Sequence, residues 1–576
     1  MAENNALPGF RLTVNPDWSM GTVTQGFVTP SQDCIPQVHC IPPRRVLPIV
    51  FLPGIMGSNL RMSAARQEEL GKKNNVAWRP DDLLPSLRSS DDSPLERQQR
   101  LDFFETVVDN YDPIGNPTGD PAENSDERNS NVGVTFSYPR NMDDAGPWLR
   151  DDPLGSLNAK TRDQKARERG WGEVYFGSYR ELLEMCELQL NTAYRDGEMG
   201  WWWRRIVGVE PSAWQASAKP SQMPLDEKTL RNTVIGCWFP VHAMGYNWLQ
   251  PNMDSGNHIA KRIVALLKKY QRSGFECEKV ILVTHSMGGL VARAVIHPKM
   301  GNIGDKVLGI VHGVMPATGA GAAYKRMRCG FEDSTGNPIP KILGNLGEDV
   351  TAVLGNSQGG LELLPSQAYG DHWLRVEHKK KVLISLPKKG DPYEEIYKVS
   401  GKWYSLLRED WINPADQDMA GFARTCIFLD KAKAFHNAIE RTYHEQSYAH
   451  YGADHAHRTW HHVVWELEEH ATVPDAESLN IASDDGQGNL QVVDRIHQTR
   501  QAVAAHKFSA RMMPAGDPGD QTVPLHSAED QLRSGKFKGI FRQTGYEHQN
   551  SYNNQLALRS TLYSLIRIAN TMDWSK

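Results

Sequence analysis

Residues 281–291 read Ile-Leu-Val-Thr-His-Ser-Met-Gly-Gly-Leu-Val, and the fold turns on how this stretch is read. Val280 to Val283 is a short aliphatic run of the kind that fills a buried parallel strand. The chain then turns through His285-Ser286-Met287 into an amphipathic helical pattern from Gly289 to Ile296. Strand, sharp turn and helix, in that order, present a serine as a nucleophile. The turn strains the serine backbone at the end of the sheet, and the helix N-terminus directs partial positive charge at a reacting carbonyl. Small residues belong beside the serine because strand and helix approach closely there. Gly288-Gly289 meet that need. Thr284 stands where a glycine is usual, so the pattern is Thr-x-Ser-x-Gly.

Such a serine needs an acid and then a histidine later in the chain. Residues 516–524 read Gly-Asp-Pro-Gly-Asp-Gln-Thr-Val-Pro, a turn with two carboxylates. Asp520 is the better acid and Asp517 the alternative. The histidine is expected at His548, within Thr544-Gly545-Tyr546-Glu547-His548-Gln549-Asn550. That loop lies between a strand candidate, Phe537 to Phe541, and a helix candidate, Asn554 to Ala569. His526 competes, but it is too near Asp520 for a separate loop to present it. Upstream, residues 46–60 read Val-Leu-Pro-Ile-Val-Phe-Leu-Pro-Gly-Ile-Met-Gly-Ser-Asn-Leu. We read Val46 to Leu52 as a strand that Pro53-Gly54 ends. The N–H of Ile55, or less favourably Met56, and the N–H of Met287 are then the expected oxyanion hole.

These motifs resemble α/β-hydrolase lipases, close to lecithin:cholesterol acyltransferase and the GPI inositol deacylases. In that group Asp-x-Thr-Val-Pro carries the acid, which favours Asp520. Four further stretches resemble the lipase effectors of bacterial type VI secretion systems. They are Arg169 to Phe176, Gly245 to Leu249, His312 to Ala320 and Leu363 to Ser366. The resemblance implies an α/β-hydrolase core with a mostly parallel sheet and large cap or lid insertions. It implies a serine phospholipase working through Ser286, Asp520 and His548. It also implies an antibacterial role, a cognate immunity protein, and a type VI spike or adaptor protein for delivery. The same triad would serve a cytoplasmic esterase or acyltransferase on a soluble ester, and a degenerate copy would be a lipid-binding module.

The chain has 576 residues, and the motifs run across nearly all of it. We therefore expect one catalytic domain over 1–576 with two insertions, about 61–232 and about 321–515. The first would end at a strand from Thr233 to Phe239. The net charge of −5 offers no basic field for nucleic acid. The opening Met-Ala-Glu-Asn-Asn has no secretory leader, and no apolar run reaches about eighteen residues. The expectation is a protein made in the cytoplasm without a signal peptide and exported by type VI secretion into target cells. Seven scattered cysteines fit reduced thiols, although Cys34 and Cys40 are near enough to bridge.

Residues 80–165 read as exposed loop rich in Asp, Asn and Pro, with no calcium-loop register. Calcium is possible there, but no cofactor or metal is assigned. A helix is expected over Tyr179 to Tyr194, followed by Trp201-Trp202-Trp203-Arg204-Arg205, either an interfacial lid or buried cap packing. Eight of the twenty histidines lie between His436 and His470. His457 with His461, or His444 with His450, would be metal pairs, but helical cap surface is the plainer expectation.

Overall fold

Six strands carry the architecture: β1 (Ile49–Leu52), β2 (Val241–Ala243), β3 (Val280–His285), β4 (Val307–Gly313), β5 (Ser447–Gly452) and β6 (Gly539–Gln543). In the computed structural model they form one sheet in the order β2-β1-β3-β4-β5-β6, and every pairing is parallel. The structure describes residues 43–81, 92–112, 132, 162–195, 197–332, 342, 344–468, 475–494 and 507–574. It also gives the backbone of strands Thr13–Asp17, Gly21–Gly26 and Gln37–Ile41.

Both faces of the sheet are covered, so β3 is buried along its whole length. Val50, Leu52, Val280 and Leu282 join one core cluster, while Ile49, Phe51, Ile281 and Val283 join another. This is the two-residue alternation of a strand between two layers. Helices α2 (Asn252–Arg272) and α3 (Gly288–Ile296) cover the first face through Ile259, Ile263, Val291 and Val295. Helices α1 (Phe176–Asn191) and α4 (Gln555–Ala569) cover the second through Tyr179, Leu182, Leu562 and Ile566. Truncating a fully buried Leu or Ile in these layers costs about 2–5 kcal/mol.

Several boundaries differ from the sequence reading. The strand expected over Val46 to Leu52 is broken at Pro48, which has no N–H to give. Its first part, Arg45–Val46, pairs with Cys237–Trp238, and its second is β1. Of the strand expected over Thr233 to Phe239, only Cys237–Trp238 is formed. Thr233 and Val234 close a helix, Glu227–Val234, that Asp226 caps through the Thr229 N–H, and the sheet strand is β2 beyond Pro240. The helix expected over Tyr179 to Tyr194 starts and ends three residues earlier. The Asp81 carboxylate accepts the Phe176 N–H (2.8 Å) and Gly177 N–H (2.7 Å) and so fixes its first turn. β6 lies two residues beyond the strand expected from Phe537 to Phe541.

The insertion boundaries also change. Helix α1 lies within the first insertion expected, 61–232, yet it covers the central sheet. Strand β5 lies within the second, 321–515, and belongs to that sheet. The remainder of the second insertion builds another six-stranded sheet. Its order is Lys381–Leu386, Leu374–His378, Val463–Glu468, Lys507–Met512, Asn489–Val493 and Asn480–Asp484. The histidine-rich segment is consequently not a helical cap. His436 is on a helix, Phe422–Ile439, but His450 is on β5 and His455 and His457 are on a strand, Asp454–Thr459.

The tryptophan run divides between buried and exposed positions. Trp203 is fully buried and its indole N–H donates to the Gln189 carbonyl (2.8 Å), whereas Trp201 is 55% exposed under the Arg205 guanidinium. Within 80–165, Ser93 and Glu96 form a capping box that starts a helix, Pro94–Arg100. Residues 113–126, the acidic part of that segment, lie outside the described residues. Cys186, Cys237, Cys277, Cys329 and Cys426 are free thiols. Cys34 and the Cys40 side chain lie outside the described residues. No helix among the described residues is long and apolar enough to cross a membrane.

Candidate active site

Ser286 follows the last residue of β3 with φ 52°, the left-handed region that a non-glycine residue enters at a cost of about 1–3 kcal/mol. Its surroundings impose that turn. The Ser286 N–H donates to the Gly313 carbonyl (2.9 Å) on β4. Any Cβ at position 288 would lie 2.4 Å from the Leu52 carbonyl oxygen, so only glycine lets α3 start against β1. Thr284, where a glycine is usual, is fully buried, and its backbone carbonyl accepts the Tyr552 hydroxyl (2.8 Å).

Asp520 and His548 meet Ser286 from two loops beyond β5 and β6. The Ser286 Oγ is 2.9 Å from His548 Nε2, and His548 Nδ1 is 2.9 Å from Asp520 Oδ2. All three residues are buried. The carboxylate can only accept, so Nδ1 carries the imidazole proton and the Nε2 lone pair receives the Ser286 hydroxyl proton. Asp520 is held in turn, because its Oδ1 accepts the N–H of Thr522 (3.1 Å) and of Val523 (2.7 Å). The alternatives point elsewhere. Asp517 takes the backbone N–H groups of His461 and His462, and His526 donates from Nε2 to the Tyr369 carbonyl (2.7 Å).

The loop expected to supply an oxyanion donor lies against Ser286. A Cβ at Gly54 would be 3.1 Å from the Ser286 Cβ and 2.8 Å from His285 Nδ1. Gly54 to Gly57 form a turn closed by the Gly57 N–H on the Gly54 carbonyl (3.1 Å), with Met56 at φ 58°. The Tyr246 hydroxyl on the Pro53 carbonyl and the Trp78 indole on the Met56 carbonyl, both 2.7 Å, hold the turn. Ile55 is half-buried in it, and Met287 is fully buried directly after the serine. This arrangement places a serine hydroxyl, an oriented imidazole and rigid backbone side by side, the set that acyl transfer requires.

Residues 250–340, from α2 through β3 to the segment after β4, match the PGAP1-like alpha/beta domain family. A chain of the crystal structure of the Tle4–Tli4 complex superposes with a TM-score of 0.70 at 30% identity, over 92% of this chain and 99% of that one. The chain belongs to the Tle4 family of α/β-hydrolases. It is a lipase-type hydrolase with an effector of type VI secretion as its structural neighbour. No curated protein sequence matches it.

In this Tle4-family site, two side chains that the sequence reading passed over join the loops. His285 Nε2 is 3.0 Å from the His548 carbonyl oxygen, which can only accept, so Nε2 carries the proton. Nδ1 is then a lone pair and accepts the Tyr179 hydroxyl from α1 (3.2 Å), while the Tyr179 oxygen accepts the Gly54 N–H (3.2 Å). The chain of bonds runs from the Gly54–Gly57 turn through α1 and the Ser286 turn to the His548 loop. It requires a neutral His285. Burial, assisted by the neighbouring His548, holds that imidazole well below its usual pKa, and burial pushes the Tyr179 phenol up to about 12. The one sequence signal was a histidine beside the serine. Tyr179→Phe leaves two buried groups without this partner, a cost of about 1–3 kcal/mol each. We expect kcat to fall roughly ten- to hundredfold with KM little changed. An unchanged kcat would show that the loops hold their places without this chain.

Beyond the site, the strand Asp454–Thr459 braces both loops. The Asp454 carboxylate accepts the Gly545 N–H (2.8 Å) before His548, and the Gln521 N–H donates to the His457 carbonyl (3.1 Å) beside Asp520. The metal pairs expected from spacing do not form sites. His444 accepts the Gln446 N–H and His450 is buried against Tyr552, while His457 faces Asp454. Among the described residues, His461, His462 and Asp517 form one group with metal-ligand proximity.

Buried imidazoles also set an acid limit. Burial pushes His312 and His450 down to about 3 and His436 to about 4, and His285 is lowered too. A depressed histidine contributes stability that is present above its ordinary value near 6.5 and is lost as pH falls toward its folded value. Glu362 and Glu184, raised by burial to about 7 and about 8, act oppositely and favour the folded chain at lower pH. Burial lowers His242, His258, His444, His461 and His526 as well, so the imidazoles outnumber the two carboxyls. Stability should fall by several kcal/mol per pH unit between pH 6 and pH 5, which denaturant unfolding across that range would measure. A flat profile would contradict neutral burial.

Proposed function

We propose that this chain is a serine phospholipase, with Ser286 as nucleophile, His548 as general base and acid, and Asp520 as the orienting carboxylate. The observation that carries this reading is the continuous line Ser286–His548–Asp520 at the end of a parallel sheet in a lipase-type fold. His548 Nε2 takes the Ser286 proton while Oγ attacks the ester carbonyl carbon. The N–H groups of Ile55 and Met287 receive the developing oxyanion, and such a pair supplies a few kcal/mol to the transition state. As the tetrahedral intermediate collapses, the leaving alkoxide takes the proton from Nε2. Water then attacks the acyl-Ser286 ester, His548 accepts its proton, and the fatty acid departs as Oγ is reprotonated.

The substrate proposed is the acyl ester of membrane phospholipid, and the setting is antibacterial delivery by type VI secretion. The support is the Tle4 likeness over nearly the whole chain, together with that relative's having been solved as a complex with a second protein, Tli4. On this reading a cognate immunity protein blocks the chain, and a spike or adaptor protein delivers it. A fluorophosphonate probe should label Ser286 alone, which separates an enzyme from a binding module. Esters of long-chain acids should be turned over faster than short soluble ones. Preference for the short esters would replace the phospholipase reading with a soluble esterase.

A further inference from the structure

Outside the triad, the one group of three metal-ligating side chains among the described residues lies on the segment that leads to Asp520. His461 and His462 form the bend between strand Asp454–Thr459 and strand Val463–Glu468. Asp517 opens strand Asp517–Gly519, which pairs antiparallel with Asp454–Thr459 and places Asp517 opposite Thr459. We propose that His461, His462 and Asp517 bind a late first-row divalent metal ion of the zinc class, and that the ion fastens the segment carrying Asp520 to this bend.

The carboxylate is already aimed. Asp517 Oδ2 accepts the N–H of His461 (3.1 Å) and of His462 (2.9 Å), which leaves Oδ1 at 3.2 Å from His462 Nδ1. Neighbouring ligands of a tetrahedral ion with bonds of about 2.0–2.1 Å lie roughly 3.3 Å apart, so this edge has the length of a coordination edge. One donor atom from each of the three residues lies within 4.8 Å of the others. The His461 ring is held by its neighbours. It stacks on His526 at 4.0 Å and 9° and lies 4.2 Å from the His462 ring. The His526 Nε2–H on the Tyr369 carbonyl fixes that outer ring. Two imidazoles and one carboxylate suit Zn2+, Co2+ or Ni2+ rather than the all-oxygen sites of Ca2+ and Mg2+. All three ligands are half-buried, which leaves an entry path and room for water in the remaining positions. The ion holds structure and takes no part in ester cleavage.

The test uses untagged full-length protein, stripped with a chelator, dialysed, and titrated with Co2+ and then Zn2+. We expect one equivalent of Co2+ to develop visible d–d absorption that Zn2+ displaces, and Zn2+ to raise the melting temperature. His462→Ala removes one ligand from a half-exposed position and should lose both signals, with its circular dichroism and metal-free melting temperature unchanged. His457→Ala, whose partner is Asp454, should keep both. Should His462→Ala fail to fold, His461→Ala takes its place in the same titration. Failure of the wild type to bind one equivalent, or equal binding by wild type and the ligand variant, overturns the site and leaves an ordinary His462–Asp517 hydrogen bond. Neither readout depends on ester hydrolysis.

Discussion

Ser286→Ala should lower kcat for ester hydrolysis roughly a million-fold, the loss typical of removing a triad nucleophile. The fold should be unaffected. The φ of 52° is set by the Gly313 carbonyl, by Gly288 against β1 and by the start of α3, none of which involves Oγ. The one bond lost is that from Oγ to His548 Nε2. The melting temperature and circular dichroism should match the wild type, and kcat measured on a chromogenic ester should not. A variant retaining more than about a thousandth of the wild-type rate would mean that another group attacks the ester.

Asp520→Asn should lower kcat roughly ten-thousand-fold. The direction follows from how the side chain is held. The N–H groups of Thr522 and Val523 donate to Oδ1, so an amide at this position keeps its oxygen there and turns its NH2 toward His548 Nδ1. Nδ1 must then accept. The imidazole proton moves to Nε2, and the atom facing Ser286 loses the lone pair that receives its proton. Because Asp520 lies behind His548 as seen from the serine, KM should change little. A fall in KM-governed binding with kcat retained would move Asp520 from orienting the base to shaping the pocket.

The sequence made much of the centre legible because its signals are local. The aliphatic run before Ser286 and the glycines after it lie within ten residues, so β3, the turn and α3 could be read directly. Asp520 and His548 could be ordered along the chain, and the structure brings both to Ser286. Other features depend on residues far away. The first turn of α1 is fixed by Asp81, 95 and 96 positions earlier. His285 acquires its partners from Tyr179 and His548, 106 and 263 positions away. Strand β5 was hidden for a different reason. Ser-Tyr-Ala-His-Tyr-Gly has no aliphatic run, yet every residue of it is buried between β4 and β6. Its position inside a histidine-rich segment made the surroundings look like cap, and the second sheet around it was missed with it.

The most direct measurement is fatty-acid release from phospholipid vesicles by the purified wild type beside Ser286→Ala. Release by the wild type that disappears in the variant is the expected result, and the products would show which acyl ester is cut. Equal release by both proteins would contradict the nucleophile, and no turnover of vesicles or of soluble esters by the wild type would contradict the enzyme.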